Sequence, residues 1–156
     1  MTSSDHKRFI RQCYALAEEA VQNGDHPFGA LLVDGVTGEI VAEGLNNSQA
    51  SPVLHGEIDA IERCAAKLPT VEWSNLWLYT TAEPCCMCQG AILWAGIRRV
   101  VFGTSIDTLK RLGWRQIHIS AAEVVSRTPD AQCEIVGGVL ERQCDALFRA
   151  AKDHVS

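Results

Sequence analysis

Two short segments contain the residue types that bind and use a catalytic metal ion. His55-Gly56-Glu57 supplies an imidazole and a carboxylate, and Pro84-Cys85-Cys86-Met87-Cys88 supplies two thiols three residues apart. Zinc prefers such nitrogen and sulfur ligands, and three protein ligands leave the fourth tetrahedral position open for a reactant. The joint pattern H-x-E…P-C-x-x-C therefore predicts one catalytic zinc per chain, held by His55, Cys85 and Cys88.

Glu57 is predicted to be the catalytic residue of this site, because it lies two residues after His55 and is not needed as a ligand. Zinc lowers the pKa of its water to about 7, and a nearby carboxylate can move the released proton. A structural zinc site is the alternative, and it would need a fourth ligand such as Cys86. Cys86 directly follows Cys85, so its side chain should point elsewhere on the helix.

The hydrophobic pattern predicts the elements that position these residues. Predicted helices cover 6–23, 55–67, 85–95, 121–126 and a last segment from about Leu140, with a helical turn within 104–118. Predicted strands cover 28–33, 40–45, 76–81, 99–102 and 133–136. Strands that alternate with helices indicate one layered α/β domain over residues 1–156, with its sheet covered on both faces. Both zinc half-motifs fall at helix N-termini, where the dipole stabilises thiolates.

The amino-acid composition indicates the cellular compartment of the protein and the class of partner that it binds. The net charge of −5 favours a small ligand over a long nucleic acid, whose binding proteins are usually basic. No apolar run is long enough to span a membrane. Seven cysteines, three of them within four positions, argue against a secreted disulfide framework and predict a cytoplasmic protein. Cys13, Cys64, Cys133 and Cys144 are expected to be buried apolar residues.

The motifs resemble the cytidine deaminase-like superfamily, in the branch of guanine deaminase, fungal-type cytosine deaminase and tRNA adenosine deaminase. The resemblance runs from Pro27-Phe28-Gly29-Ala30 through Asn46 and the zinc half-motifs to Ala91-Ile92-Leu93-Trp94 and Arg99-Val100-Val101-Phe102-Gly103. It implies a three-layer α/β/α cytidine deaminase-like fold with a five-stranded mixed sheet. It also implies hydrolytic deamination and a homodimer packed partly through the zinc-binding helices.

The resemblance further implies residues that contact the substrate. Asn46 matches an asparagine whose amide binds a carbonyl or ring nitrogen of the base, and a simple turn residue is the alternative. Phe28 matches a position that stacks on the base, and Trp94 matches one beside the pocket. Core packing is the alternative for both aromatic residues. Gln116 lies in the loop after the fourth strand and offers both a donor and an acceptor to a base.

Two departures from the family pattern bear on the substrate. The usual H-A-E is His55-Gly56-Glu57 here, and the missing methyl group is expected to enlarge the pocket. The stretch Gly113-Trp114-Arg115-Gln116 lacks the acidic residues of guanine deaminases, which weakens the case for guanine itself. Gly137-Gly138-Val139-Leu140 resembles the tRNA branch, but the chain is acidic. Its compact basic run, Lys110-Arg111 with Arg115, is expected to be a solvated loop.

The predicted function is zinc-dependent hydrolytic deamination of a free nucleobase or nucleoside, such as a guanine-, cytosine- or isocytosine-like heterocycle. A tRNA-specific adenosine deaminase is the first alternative. A non-catalytic zinc-binding module of the same fold is the second, and the intact Glu57 argues against it because a structural site needs no proton shuttle.

Overall fold

The computed structural model of the chain describes residues 1–155, and it describes the side chains of residues 1–153. Along these residues the elements are α1 (Ser3–Gln22), β1 (Gly29–Asp34), β2 (Ile40–Leu45), α2 (Gly56–Lys67), β3 (Leu76–Ala82), α3 (Cys86–Ala95), β4 (Arg99–Thr104), α4 (Ile106–Arg111), α5 (Ala121–Ser126), β5 (Glu134–Val136) and α6 (Glu141–Val155). Every predicted helix and strand is present, and most of their ends agree with the predicted ends within two residues.

The strands form a single mixed sheet in the order β2-β1-β3-β4-β5. β1 is antiparallel to β2 and β3, whereas β4 is parallel to β3 and β5. Parallel neighbours need a crossover connection, and α3 supplies the one between β3 and β4. The C-terminal end of β3 therefore leads directly into the segment that contains Cys85 and Cys88.

Residues of β1 alternate between two hydrophobic cores, one on each face of the sheet. Leu31 and Val33 pack with residues of α1 and with Cys144 of α6. Ala30 and Leu32 pack on the other face with residues of α2 and α3. Helices therefore cover both faces, and the predicted three-layer α/β/α fold with a five-stranded mixed sheet is confirmed.

α1 begins three residues earlier than predicted because Thr2 and Asp5 form a capping box. Thr2 Oγ1 accepts the Asp5 N–H at 3.1 Å, and Asp5 Oδ2 accepts the Thr2 N–H at 2.9 Å. This reciprocal pair satisfies N–H groups that a helix start otherwise leaves without partners. The sequence T-x-x-D carries this signal.

The cysteines form no disulfide. Cys13, Cys64 and Cys144 are fully buried, as predicted. The prediction for Cys133 is wrong: it is only half-buried because it lies directly before the edge strand β5. Its Sγ accepts a hydrogen bond from Gln89 Nε2 at 3.7 Å. None of the helices within residues 1–155 combines the length and the apolar content needed to cross a bilayer.

Candidate metal centre and active site

His55, Cys85 and Cys88 meet at the N-termini of two neighbouring helices. His55 and Cys85 are the N-cap residues of α2 and α3, and Cys88 lies in the first turn of α3. His55 Nδ1 is 3.6 Å from Cys85 Sγ and 3.5 Å from Cys88 Sγ. A nitrogen and a sulfur bound to one tetrahedral zinc lie about 3.6 Å apart, given the usual bond lengths. The three donors therefore fit one zinc ion, and within the described residues no other trio of His, Cys, Asp or Glu lies this close together.

The pKa values of the two thiols of this cluster shift in opposite directions. The hydrogen bond from Cys88, supported by His55, lowers the pKa of Cys85 to about 4 despite its burial. The same bond, together with burial, raises the pKa of Cys88. Zinc binds cysteine as the thiolate, so metal binding to this cluster will release the proton of Cys88.

The Glu57 side chain is buried beside the cluster, with 3% of its surface exposed. Burial, followed by the charge of Cys85, raises the pKa of the Glu57 carboxyl. Thr80 on β3 donates its hydroxyl to Glu57 Oε1 at 2.9 Å and so orients the carboxyl group. A carboxyl with a raised pKa is suited to both accepting and donating protons. Sequence reasoning missed Thr80, whose signal is a hydroxyl within a largely apolar buried strand.

Asn46 directly follows β2, and its side chain is 5% exposed. The backbone N–H of Asn46 donates to the Phe28 carbonyl at 2.9 Å, and its side-chain Nδ2 donates to Asp25 Oδ1 at 2.6 Å. A simple turn residue would project into solvent, so this enclosed amide favours a specific role. Its contact with a substrate stays a prediction. Asp25, its partner, was absent from the sequence prediction.

Phe28 packs against an aromatic cluster formed with Trp114 and Phe148. Its ring centroid lies 6.2 Å from that of Trp114 and 5.1 Å from that of Phe148. Trp114 Nε1 donates to the Phe148 carbonyl at 3.2 Å, which joins the loop after α4 to α6. The side chain of Phe28 thus makes the contacts expected of a core residue, which was the alternative to base stacking. Its stacking on a base stays a prediction.

Trp94 and Gln116 are the remaining predicted substrate contacts. The Trp94 side chain is 93% exposed on α3, so the core-packing alternative is wrong for this residue. Gln116 is half-buried in the segment between α4 and α5. Neither side chain makes a hydrogen bond within the described part of the chain. Substrate contact by either residue stays a prediction.

Gly56 is buried at the position where the family pattern has alanine. A methyl group there would lie 3.0 Å from the Phe28 carbonyl oxygen and 3.3 Å from its carbon. The glycine therefore allows α2 to approach the backbone that leads into β1. The expectation of an enlarged pocket was wrong, because the missing methyl faces this backbone.

Glu83, directly before Pro84, ties the segment between β4 and α5 to the site. Its Oε1 accepts the Ile106 N–H at 3.0 Å, and its Oε2 accepts the Ala121 N–H at 2.8 Å. These residues begin α4 and α5, where N–H groups lack helical partners and the dipole favours an anion. The Glu83 side chain is thus engaged in holding the loop that contains Trp114.

We expect Glu83→Gln to lower the free energy of unfolding by about 2 kcal/mol, because its NH2 group would face an N–H that has lost its acceptor. Ile106 and Ala121 are buried, so water does not replace the lost bond. Urea unfolding followed by circular dichroism measures the change. Glu123→Gln is the matched control, since the exposed Glu123 pairs with Arg127 at 3.5 Å and should contribute less than about 0.5 kcal/mol. Equal losses in the two variants would contradict this role for Glu83.

Comparison with known proteins places the cluster in a recognised family region. Residues 3–104 match the family model described as the cytidine and deoxycytidylate deaminase zinc-binding region. The chain is 36% identical over 140 residues to a tRNA-specific adenosine deaminase of Haemophilus influenzae, covering 88% of this chain and 78% of that protein. It is 30% identical over 138 residues to a probable cytosine deaminase of Schizosaccharomyces pombe, covering 85% and 83%.

A solved structure shares the fold around this region. The X-ray structure of guanine deaminase from Bacillus subtilis superposes with a TM-score of 0.65 at 35% identity, covering 71% of this chain and 71% of that one. The family match contains His55, Glu57, Cys85 and Cys88. The geometry and the comparisons therefore agree on one zinc-binding site per chain.

Proposed function

The chain belongs to the cytidine and deoxycytidylate deaminase family, and we propose that it is a zinc-dependent enzyme that hydrolytically removes an amino group from a small nucleobase or nucleoside. One observation carries the proposal: a buried carboxyl, Glu57, lies beside three donors that fit a zinc ion. A structural zinc site is closed by four protein ligands and needs no adjacent acid.

The residues of the chain divide the chemistry among them. His55, Cys85 and Cys88 would hold a zinc ion, which when bound would lower the pKa of a water to about 7. Glu57 takes one proton from the attacking water and delivers it to the ring nitrogen beside the reacting carbon. It then takes the second proton of that water, now on the hydroxyl group attached to the carbon, and gives it to the leaving amine. Thr80 keeps one oxygen of this carboxyl in place. Ammonia leaves, and the carbon that held it becomes a carbonyl.

A small substrate is supported by the charge of the chain. Its net charge is −5, whereas binding a polynucleotide releases counterions through Lys and Arg contacts. Lys110 and Arg111 lie in α4 and not in a loop as expected, and both residues and Arg115 are exposed to solvent. The names of two relatives, a cytosine deaminase and a guanine deaminase, also point to free bases.

A tRNA-specific adenosine deaminase is the second candidate. The relative of that name in Haemophilus influenzae is 36% identical and aligns with 88% of this chain. If the chain has this function, Lys110, Arg111 and Arg115 would contact the phosphates of the RNA. The two candidates share the zinc site and differ in what the surrounding loops bind.

Ammonia release by the zinc-loaded protein tests the proposal. The panel contains guanine, cytosine, isocytosine, cytidine, adenosine and an RNA anticodon stem-loop. We expect turnover of a small compound, with the RNA inert and with a Glu57→Gln control inactive throughout. Activity on the RNA alone would replace the proposal with the second candidate. A protein that binds one zinc and releases no ammonia from any compound would support the non-catalytic module.

We also propose that a second copy of the chain covers α3. This helix, CMCQGAILWA, contains no charged residue, and its Trp94 is 93% exposed. A methyl group added at Gly90 would meet no atom within 4 Å, so this side of the helix is open. Exposed apolar patches with aromatic residues are typical of protein–protein interfaces. The resemblance to homodimeric deaminases favours self-association over another partner.

Trp94→Glu is expected to weaken the dimer at least about thirtyfold, because buried tryptophans contribute strongly to interfaces and a buried carboxylate is costly. Size-exclusion chromatography with light scattering measures the mass over a dilution series. Val36→Glu is the control, since Val36 is 78% exposed in the turn between β1 and β2. A parent protein that stays monomeric, or a Trp94 variant that stays dimeric, would refute this interface.

A further inference from the structure

Asp25 is a buried carboxylate outside the zinc motifs. It lies between α1 and β1, is 7% exposed, and takes part in none of the ion pairs within the described residues. Its oxygens accept hydrogen bonds from Asn46 Nδ2 at 2.6 Å and from the His26 N–H at 2.8 Å. Ser48 donates its N–H at 2.6 Å and its hydroxyl at 2.9 Å. An enclosed carboxylate is maintained where donors satisfy it in this way.

The bond from Asn46 to Asp25 determines which way the Asn46 amide faces. A carboxylate can only accept hydrogen bonds, so the NH2 group must face Asp25 and the carbonyl oxygen Oδ1 must lie on the other side. Among the described residues no group donates to Oδ1. It is also accessible, because the enclosed side-chain polar atoms without partners in this part of the chain are His26 Nδ1 and Gln89 Oε1.

The backbone of Asn46 lies close to the start of α2, the helix that carries Glu57. The Phe28 carbonyl oxygen accepts the Asn46 N–H at 2.9 Å. A methyl group at Gly56 would lie 3.0 Å from this same oxygen. Gly56 separates His55 from Glu57, so the Asn46 backbone and the start of α2 both pack against this backbone carbonyl.

We propose that Asp25 is a positioning residue, which holds the Asn46 amide so that its Oδ1 accepts an N–H group of the substrate. The inference rests on the proposed function and narrows its substrate class to heterocycles that carry a ring N–H. Free guanine, cytosine and isocytosine meet this requirement. An adenosine within RNA does not, because its base has no N–H apart from the amino group that the reaction removes.

The variant Asp25→Asn tests this role. A neutral amide of the same size can both donate and accept hydrogen bonds, so it no longer fixes the orientation of the Asn46 side-chain amide. With the base identified by the ammonia assay, we expect KM to rise about tenfold or more while kcat changes less than about threefold. Asn46→Ala should raise KM similarly. Adding Asp25→Asn to Asn46→Ala should then have no further effect, because Asp25 acts through Asn46.

Ser48→Ala is the matched control, since it removes one bond to Asp25 and leaves the bond from Asn46. Its KM should equal that of the parent protein. If Asp25→Asn fails to fold, a crystal structure of the zinc-loaded Glu57→Gln variant with the base bound provides the second test. That structure must place a ring N–H of the base within hydrogen-bond distance of Asn46 Oδ1, with Nδ2 still on Asp25.

The outcomes separate this inference from the proposed function. Equal effects of Asp25→Asn in the parent and in Asn46→Ala would overturn the positioning role and leave the deaminase proposal standing. A fall in kcat and melting temperature with KM unchanged would do the same, because it would indicate a structural role. A parent protein that deaminates no base would overturn both.

Discussion

Replacing Glu57 with Gln is expected to lower kcat by about 10²- to 10⁴-fold, the range that general acid–base groups contribute. The carboxyl lies beside the zinc-binding donors but is not one of them, and it is 3% exposed. Glutamine has the same shape and can keep an oxygen for the Thr80 hydroxyl, which now bonds Oε1 at 2.9 Å. It cannot take a proton from the attacking water. The protein should therefore stay folded and keep one zinc while turnover is lost.

Ammonia release and zinc content, measured on the same preparation, test this prediction. Glu62→Gln is a suitable control because Glu62 is exposed on the same helix, α2. It should leave both quantities unchanged. Turnover close to that of the parent in the Glu57 variant would exclude Glu57 as the proton shuttle. Loss of zinc together with turnover would assign Glu57 to the metal site itself.

Gly44→Ala is expected to lower the free energy of unfolding by at least about 3 kcal/mol, the upper end of overpacking costs, because the clash is with backbone. Gly44 lies in β2, where its backbone packs directly against Gly56 and Ala60 of α2. An added methyl group would collide with the Ala60 N and the Gly56 carbonyl oxygen and would lie 2.9 Å from the Ala60 Cα. α2 would have to move away from the sheet, and His55 and Glu57 would move with it.

Urea unfolding and the zinc retained after dialysis measure the effect. Glu43→Gln is the control because the neighbouring residue Glu43 is exposed in the same strand, β2. It should change the free energy of unfolding by less than about 0.5 kcal/mol. A Gly44 variant as stable as the Glu43 variant would show that α2 does not pack this closely on β2.

The metal centre was predictable from sequence because metal chemistry restricts the residue types. Zinc requires particular donor atoms, and Cys85 and Cys88 lie on one helical turn whatever the rest of the chain does. The elements were predictable for a similar reason. Each hydrophobic period is local, and only the α1 start, where Thr2 caps Asp5, was misplaced by as much as three residues.

The hydrogen-bond partners of Glu57 and Asn46 were not predictable, because each is distant in sequence and chemically unremarkable. Thr80 bonds Glu57 from 23 residues away, and Asn46 bonds Asp25 from 21 residues away. A threonine in a strand and an aspartate before one have many common roles. Glu83 was likewise unassigned until its oxygens were found on the first N–H groups of two short helices.

The sequence by itself determined the zinc donors, the adjacent acid, the family and the order of helices and strands, because these depend on residue type and short spacing. Tertiary structure alone decided that Glu57 is buried, that the Asn46 side-chain amide donates to Asp25, and that Trp94 faces solvent. It also showed that the glycine at 56 serves close packing. Burial and hydrogen-bond partners depend on which surfaces the fold brings together, and no local pattern encodes that choice.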